Sequence, residues 1–376
     1  MSHRHAWALI GVGLLHAACG TPSASQEPAG ARQAAEAPPP SPRCARDVLC
    51  AEGALDVLSF DHTCTASAAV LTSYQGVRSL LVGPDQGAEV LIYGVSGGAP
   101  IAPAITLRVD RSPMDLEAAT QFEGQVYMVA SHSLNDHRLY RDARHQITRL
   151  PNIPAGVTKK FALTDEDDRF RSSLASLPTD ALPARWARLA SGDGGLAIEG
   201  VAVKERSLLL GLRSPLARVH DVSYAIVLPW VSWLDELETT GHPRVMGEPL
   251  LVDLEGRGIR DMVWWESAGQ FLIVAGPEKR RPKGPAGQRA FAVFAWDGTS
   301  TTAKRLSHID TAPKASPEAL VLDPQSDTGV QIEALILFDE GRATGCGKHD
   351  PVEDRHFHAW RVVIEDPNAT GRSPAR

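Results

Sequence analysis

The sequence predicts an all-β fold, namely a β-propeller of about five four-stranded blades with a small helical insertion. A weak unit recurs along the chain, each copy holds two short apolar runs around a turn, and further strand-like runs follow most copies. Repeats of roughly 50 residues with four strands each are typical of propeller blades. A length of 376 residues leaves the domain count open, because single all-β domains of this size are common.

The recurring unit begins with an acidic or polar residue and continues through small and branched residues, a gap, an apolar run, and a final Gly, Pro or Asp. The copies begin at Thr65, Asp115, Ile198, Ile259 and Pro317. Runs of β-branched and aromatic residues between turn residues predict two antiparallel strands in each copy. The runs SYAIVLPW and EPLLVDL, which follow the third copy, would complete a blade of four strands.

The last unit has one further run, HFHAWRVVI, where the others have two. We therefore expect ALDVLSF near the N-terminus to supply its fourth strand and to join the two chain ends. The second unit is followed by a long polar stretch with spaced Leu and Pro residues. This insertion, at about residues 160–190, predicts one or two short helices that pack over a propeller face as a candidate lid.

The N-terminal segment is typical of an exported protein. A charged start at Arg4, an apolar stretch too short to span a bilayer, and small residues before Cys19 predict a signal peptide at residues 1–19. Ala17-Ala18-Cys19 resembles the bacterial lipobox, although His16 stands where that motif usually has Leu. We expect Cys19 to carry the lipid, and ordinary cleavage near Ala18 is the alternative.

Residues 20–43 are rich in Pro, Ala, Ser, Gln and Glu and predict a disordered linker, because they offer almost no large apolar side chain for burial. Residues 44–376 would form the propeller-like domain. Gly20 is not the Asp that resembles an inner-membrane retention signal. We therefore expect an outer-membrane lipoprotein of the cell envelope, a monomer that touches the membrane through its lipid anchor only.

The part that follows the signal peptide contains Cys44, Cys50, Cys64 and Cys346. Export to an oxidising compartment favours disulfide bonds, and four cysteines allow three pairings. We expect Cys64 to pair with Cys346, because Cys64 follows the proposed closing strand and Cys346 lies in the unit that this strand would complete. Cys44 and Cys50 would then form the second bridge.

Charged residues stand where the first strand of most units would border the central channel. The candidates for this channel mouth are Glu117, Glu199, Arg213, Arg257, Arg260, Asp261 and Glu318. Repeat symmetry brings equivalent positions together around an axis, so we expect one connected cluster. Three interpretations stay open: ion pairs between blades, a ligand or cation site, and catalysis.

Other side chains offer weaker signals. His132 could shuttle a proton at the channel mouth or be a hydrogen-bonded loop residue, and Trp264 and Trp265 predict core packing towards opposite neighbouring blades. A zinc site is a further alternative, because Cys346 and His349 are close in sequence and His356 and His358 alternate on one face of a predicted strand. The paired CxxC spacing of structural zinc sites is missing.

Composition and motifs exclude several functional classes. A net charge of -7 with mixed Lys, Arg, Asp and Glu argues against a nucleic-acid partner, and 43% hydrophobic residues indicate a globular core. The chain has no Walker loop, no HExxH and no GxSxG. No cofactor is evident, and calcium has limited support because the three asparagines that could bind it, Asn135, Asn152 and Asn368, lie away from the blade-start positions.

The motifs IEGVAV with LLLGLRSP, LVDLEGRGIRDM with FLIVAGP, and PEAL resemble the bacterial family known as domain of unknown function 3616, over Asp115 to about Glu340. The resemblance implies an exported, propeller-like protein and implies neither an activity nor catalytic residues. Esterase-like phytases and lactonases are similar in fold, but fold does not determine function.

The sequence therefore predicts a binding or scaffold module with a charged central pocket for a small molecule or anion. The alternative is a hydrolase of phosphate esters or small esters that uses the channel carboxylates with or without a metal. Carboxylates without arginine partners would favour a metal and catalysis. Carboxylates held by Arg213, Arg257 or Arg260 would favour structure or anion binding.

Overall fold

A computed structural model describes residues 48–84, 89–109, 112–150, 159–162, 169–178, 180–183, 186–240, 246–278, 290–312, 314–341 and 351–369. The predicted signal peptide with Cys19, the linker, Cys44 and Cys346 lie outside these residues.

The described strands form five blades in a ring, as the sequence predicts. Two strands precede the first blade: β1 (Val48–Leu49) and β2 (Asp56–Asp61). The first blade contains β3 (Ala68–Tyr74), β4 (Val77–Gly83), β5 (Glu89–Gly94) and β6 (Ile105–Thr106). A short hairpin of β7 (Arg108–Val109) and β8 (Ser112–Pro113) follows. The second blade contains β9 (Leu116–Phe122), β10 (Gln125–Ala130), β11 (Gln146–Leu150) and β12 (Lys159–Ala162).

The remaining three blades contain the repeat copies in the same order. Helix α1 (Arg169–Leu174) precedes the third blade, which contains β13 (Ala197–Lys204), β14 (Ser207–Ser214), β15 (Ala217–Val219), β16 (Val222–Trp230), α2 (Trp233–Thr239) and β17 (Leu250–Val252). The fourth blade contains β18 (Gly258–Trp265), β19 (Gln270–Gly276), β20 (Phe291–Trp296) and β21 (Lys304–Ile309). The fifth contains β22 (Ser316–Leu322), β23 (Gln331–Asp339) and β24 (His356–Glu365).

The innermost strands close a ring around the centre. Each of β3, β9, β13, β18 and β22 contacts the next, and β22 contacts β3. The first residues of these five strands therefore meet at one end of the ring. This arrangement is what places the candidate site residues near one another.

The N-terminal segment closes the ring, as ALDVLSF predicts. β2 pairs antiparallel with β24, from Asp56 opposite Arg361 to Asp61 opposite His356. β1 adds a parallel pairing with β21 on the outer edge of the fourth blade. One N-terminal segment thus holds both the fourth and the fifth blade.

Apolar layers between neighbouring blades form the core. Trp265 is buried in the layer between the fourth and fifth blades, and Trp264 packs against the layer between the third and fourth. The expectation that the two tryptophans face opposite neighbours is confirmed. Adjacent residues of a strand point to opposite faces, so the two side chains reach different apolar layers. Both tryptophans pack against apolar neighbours there.

Part of the insertion lies within the described residues, and its role as a lid stays a prediction. Lys159–Ala162 forms the outer strand of the second blade. Leu174 of α1 is buried in the apolar layer between the second and third blades, and Ser173 Oγ donates to the Gly247 carbonyl at 3.3 Å. The described part therefore packs against the flank of the third blade, because its apolar residues fill the gap between two blades.

No helix in the described ranges has the length and apolar character that a membrane crossing requires.

Candidate functional site

Four of the five innermost strands contain a β-bulge at the same place near their start. In β9, Leu116 pairs with Ala130 and Ala118 pairs with Val129, so Glu117 is the extra residue. The same shift makes Glu199, Arg260 and Glu318 the extra residues of β13, β18 and β22. A bulge re-aims a side chain relative to the regular alternation of a strand. Four charged candidates therefore leave their sheets at equivalent points of the ring.

The first blade lacks this irregularity in the described pairing. Ala68 pairs with Gly83 and Ala69 with Val82, without a shift. Ser67 precedes the strand, and its amide donates to the Gly83 carbonyl at 3.2 Å. This blade therefore contributes a small neutral residue at the position where the other four contribute charge.

Glu199 joins two arginines at the ring centre. Its side chain is 1% exposed, and its two carboxylate oxygens face different guanidinium groups. Arg213, from the neighbouring strand β14, pairs with Oε1, and Arg260 Nη1 lies 3.0 Å from Oε2. Two positive groups on one buried carboxylate satisfy a charge that would otherwise cost several kcal/mol.

Arg260 is the centre of the network, and its Nη1 is crowded. This nitrogen lies 2.8 Å and 2.6 Å from Oε1 and Oε2 of Glu318, in addition to its contact with Glu199. A guanidinium Nη carries two hydrogens, but three carboxylate oxygens converge on this one. Ser316 Oγ also donates to Glu318 Oε1 at 2.7 Å. The third, fourth and fifth blades are thereby tied together through one arginine.

Both arginines retain donors that the network does not use. The Nε atoms of Arg213 and Arg260 are buried and have no hydrogen-bond partner within the described part of the chain. Their side chains are 6% and 8% exposed. An unsatisfied buried donor costs about 1–3 kcal/mol. A ligand that accepts these hydrogen bonds would recover that free energy.

Burial controls the protonation of the two central acids on the fourth and fifth blades. The pKa of Glu318 is raised to about 7, mainly by burial and also by Glu199 and Asp339, against the opposing effects of Arg260 and Ser316. Burial also raises the pKa of Asp261 well above its usual value. For Arg260, burial lowers the pKa, but the nearby Glu199, Glu318 and Glu117 outweigh it, so the guanidinium stays charged.

Asp261 borders the cluster but binds backbone amides instead of an arginine. Its carboxylate accepts hydrogen bonds at 2.7 Å from the amides of Met262 and Leu320. It therefore ties β18 to β22 through the backbone and touches the cluster only electrostatically, through Glu318.

Glu117 is half-buried and acts on Arg260 through its charge. Two residues earlier, Asp115 pairs with Arg144 at 2.8 Å, and Arg144 donates to Ser133 Oγ at 2.7 Å. Arg144, Ser133 and Ser316 are polar partners that the repeat pattern did not identify. Arg144 and Ser133 lie between β10 and β11, where the repeat pattern defines no position.

Arg257 lies apart from the cluster, which corrects the expectation that it belongs there. Its Nε donates to the Ala290 carbonyl at 3.1 Å, and its Nη1 lies 3.0 Å from Glu255 Oε2. The turn before it has positive φ at Glu255 and Gly256. This turn directs the guanidinium over Phe294 and away from the ring centre.

His132 is a buried loop residue with left-handed backbone (φ 53°). Its amide donates to the Arg144 carbonyl at 2.8 Å, and its ring packs edge-on against His145 with centroids 5.5 Å apart. These contacts favour the structural interpretation of His132 over proton shuttling.

A family model described as a protein of unknown function, DUF3616, matches residues 140–340, which is more than half of the chain. The chain belongs to the DUF3616 family. The matched residues run from the loop of the second blade to the end of β23 and include Glu199, Arg260 and Glu318. Membership of DUF3616 assigns no activity to the cluster.

No curated protein matches the chain. Among solved structures, glutaminyl cyclase from Myxococcus xanthus is similar at 10% identity and a TM-score of 0.42, over 82% of this chain and 95% of that one. α-L-Arabinofuranosidase from Lactobacillus brevis follows at 9% identity and 0.41, over 81% and 92%. The calcium-binding protein regucalcin from Agrobacterium tumefaciens gives 10% and 0.40, over 85% and 96%. These similarities assign neither a function nor a ligand to this chain.

Replacement of Glu318 should change how stability depends on pH. The folded protein holds a proton on Glu318 up to about pH 7, whereas the unfolded chain releases it near the ordinary glutamate pKa. The free energy of unfolding of the wild type should therefore fall, relative to Glu318→Gln, as pH rises from 5 to 7. In urea titrations, the slope of the unfolding free energy against pH should differ between the two proteins by up to about 1.4 kcal/mol per pH unit.

Glu333→Gln is the matched control, since Glu333 lies on β23 of the same blade. Its curve should run parallel to that of the wild type. Parallel curves for Glu318→Gln and the wild type would contradict the raised pKa.

Proposed function

We propose that this DUF3616 protein is an exported binding module whose central cluster binds the anionic group of a small ligand. The observation that carries the proposal is the pair of buried guanidinium groups, Arg213 and Arg260, whose Nε donors lack a partner among the described residues. Their unused donors suit an oxyanion, because the arginine fork matches carboxylate and phosphate geometry.

The charge of the network supports this proposal. The two guanidinium groups offset the charges of the two glutamates that they contact, and Glu117 and Asp339 add negative charge nearby. The low dielectric of a buried site strengthens each hydrogen bond from a guanidinium to an incoming anion. Burial of both guanidinium groups also removes the competition of bulk water.

The same pairing argues against a calcium or other metal site. Glu199 and Glu318 are held by arginine, and a cation would have to displace a guanidinium to reach either one. Within the described ranges, no group of three His, Cys, Asp or Glu residues could hold a metal ion. The donor set therefore favours an anion.

Sulfate and acetate are suitable probes for phosphate-like and carboxylate ligands. We expect one of them to raise the melting temperature of the wild type at pH 6 and to bind in calorimetry. Arg213→Lys keeps the charge beside Glu199 but removes the fork, so it should weaken binding at least tenfold. Arg257→Lys, at a turn outside the cluster, should bind like the wild type.

Absence of binding by both anions would overturn the proposal, and so would equal binding by wild type and Arg213→Lys. A rise in melting temperature with calcium chloride, but with neither anion, would favour the metal interpretation instead.

A second candidate function is hydrolysis of phosphate esters or small esters. The pKa of Glu318 near 7 favours it, because a general acid or base works best with a pKa near the operating pH. Turnover of a nitrophenyl ester or phosphate that Glu318→Gln abolishes would support catalysis over simple binding.

We also propose that the protein is an outer-membrane lipoprotein anchored through Cys19, on the basis of the apolar stretch, Ala17-Ala18-Cys19 and the linker after it. Labelled palmitate should enter the wild type and be absent from Cys19→Ser. Label retained in Cys19→Ser, or release of the wild type as a soluble species, would contradict the anchor.

The proposed disulfide pairing remains Cys64 with Cys346 and Cys44 with Cys50. One contact supports it: the Glu340 amide donates to the Cys64 carbonyl at 3.2 Å. That bond places Cys64 beside Glu340, which follows β23 and lies six residues before Cys346.

Peptide mapping without reductant should recover these two bridges. In the entropy model, the Cys64–Cys346 bridge would stabilise the folded state by about 5–6 kcal/mol, because it restricts the unfolded chain. A peptide that links Cys44 to Cys346, or a free thiol at Cys64, would exclude this pairing.

A further inference from the structure

We infer that an oxyanion bound at Arg260 takes the place of Glu318, and that Glu318 takes up one proton as it gives way. This inference rests on the proposed function, since it requires an anion to bind at the central cluster. It adds that the site couples ligand binding to pH.

The geometry of Arg260 is the first step of the argument. Both oxygens of Glu318 and one oxygen of Glu199 crowd its Nη1, while its buried Nε has no partner in the described part of the chain. Three acceptors share two hydrogens there. An anion that reaches the Nη1 end of this guanidinium must therefore share or replace one of the two carboxylates.

Glu318 is the carboxylate that can leave. Glu199 is fixed from two sides by Arg213 and Arg260, whereas Glu318 has Arg260 as its only arginine among the described contacts. Ser316 Oγ, which now donates to Glu318 at 2.7 Å, can rotate and accept a hydrogen bond from the protonated acid. Ser316, on the same strand of the fifth blade, can therefore hydrogen-bond to the protonated side chain of Glu318.

The net charge around Glu318 explains why anion binding should be accompanied by uptake of a proton. The groups that face Glu318 are Arg260 and Asp261 from β18, Glu199 from β13, Asp339 from β23 and Ser316 from its own strand. Addition of an anion to this group would add one uncompensated negative charge, which is costly in a buried site. Uptake of one proton by Glu318 offsets that charge, because Glu318 is the acid that leaves Arg260, and burial raises its pKa to about 7.

The experiment measures sulfate and acetate binding between pH 6 and 9, where neither probe changes its own charge. Above pH 7, affinity should fall about tenfold per pH unit, because each binding event then consumes one proton. Calorimetry at pH 8 in Tris and in triethanolamine, which differ in ionisation enthalpy, should report uptake of about one proton per anion. The sulfate and acetate arms distinguish a phosphate-like ligand from a carboxylate.

Glu318→Gln should bind with an affinity that is constant over this range and with no proton uptake. Glu333→Gln, the same substitution on β23 away from Arg260, should keep the slope of the wild type. Anion binding by the wild type without proton uptake, or an unchanged slope in Glu318→Gln, would overturn this inference and leave the proposed function standing. Absence of binding at pH 6 would overturn the proposed function itself.

Discussion

A bulged residue at the start of an inner strand must find a partner at the ring centre, and the structure around the cluster depends on this constraint. The bulges turn Glu199, Arg260 and Glu318 away from their own sheets. Since each of these side chains is then buried, an unpaired one would cost several kcal/mol. The third, fourth and fifth blades therefore meet through opposite charges at this end of the ring, in addition to the apolar layers between them.

This arrangement joins the blades but does not satisfy both arginines fully. Among the described residues, Arg260 contacts two carboxylates and Arg213 contacts Glu199, while the Nε atoms of both arginines have no hydrogen-bond partner. A purely structural pair usually satisfies both partners fully, because unsatisfied buried donors are rare. The unsatisfied donors are therefore the reason for the proposal that this structural tie exchanges one of its carboxylates for a ligand.

The repeat pattern predicted the strands, the closing role of β2 and the positions of the charged residues, because these follow from residue spacing. The pattern could not predict the bulges, because the shift in register that makes a bulge depends on how each strand pairs with its neighbour. Arg257 shows the same limit: it is adjacent in sequence to the entry of β18, but a turn with two positive φ angles directs it elsewhere.

The central claim is that the bulged charges couple neighbouring blades energetically. A double-mutant cycle with Glu199→Ala and Arg260→Ala, measured by urea unfolding at pH 7.5, tests it most directly. The account predicts a coupling free energy of about 2 kcal/mol or more, with the double variant more stable than the sum of the single losses implies. Effects that add to within about 0.5 kcal/mol would contradict it.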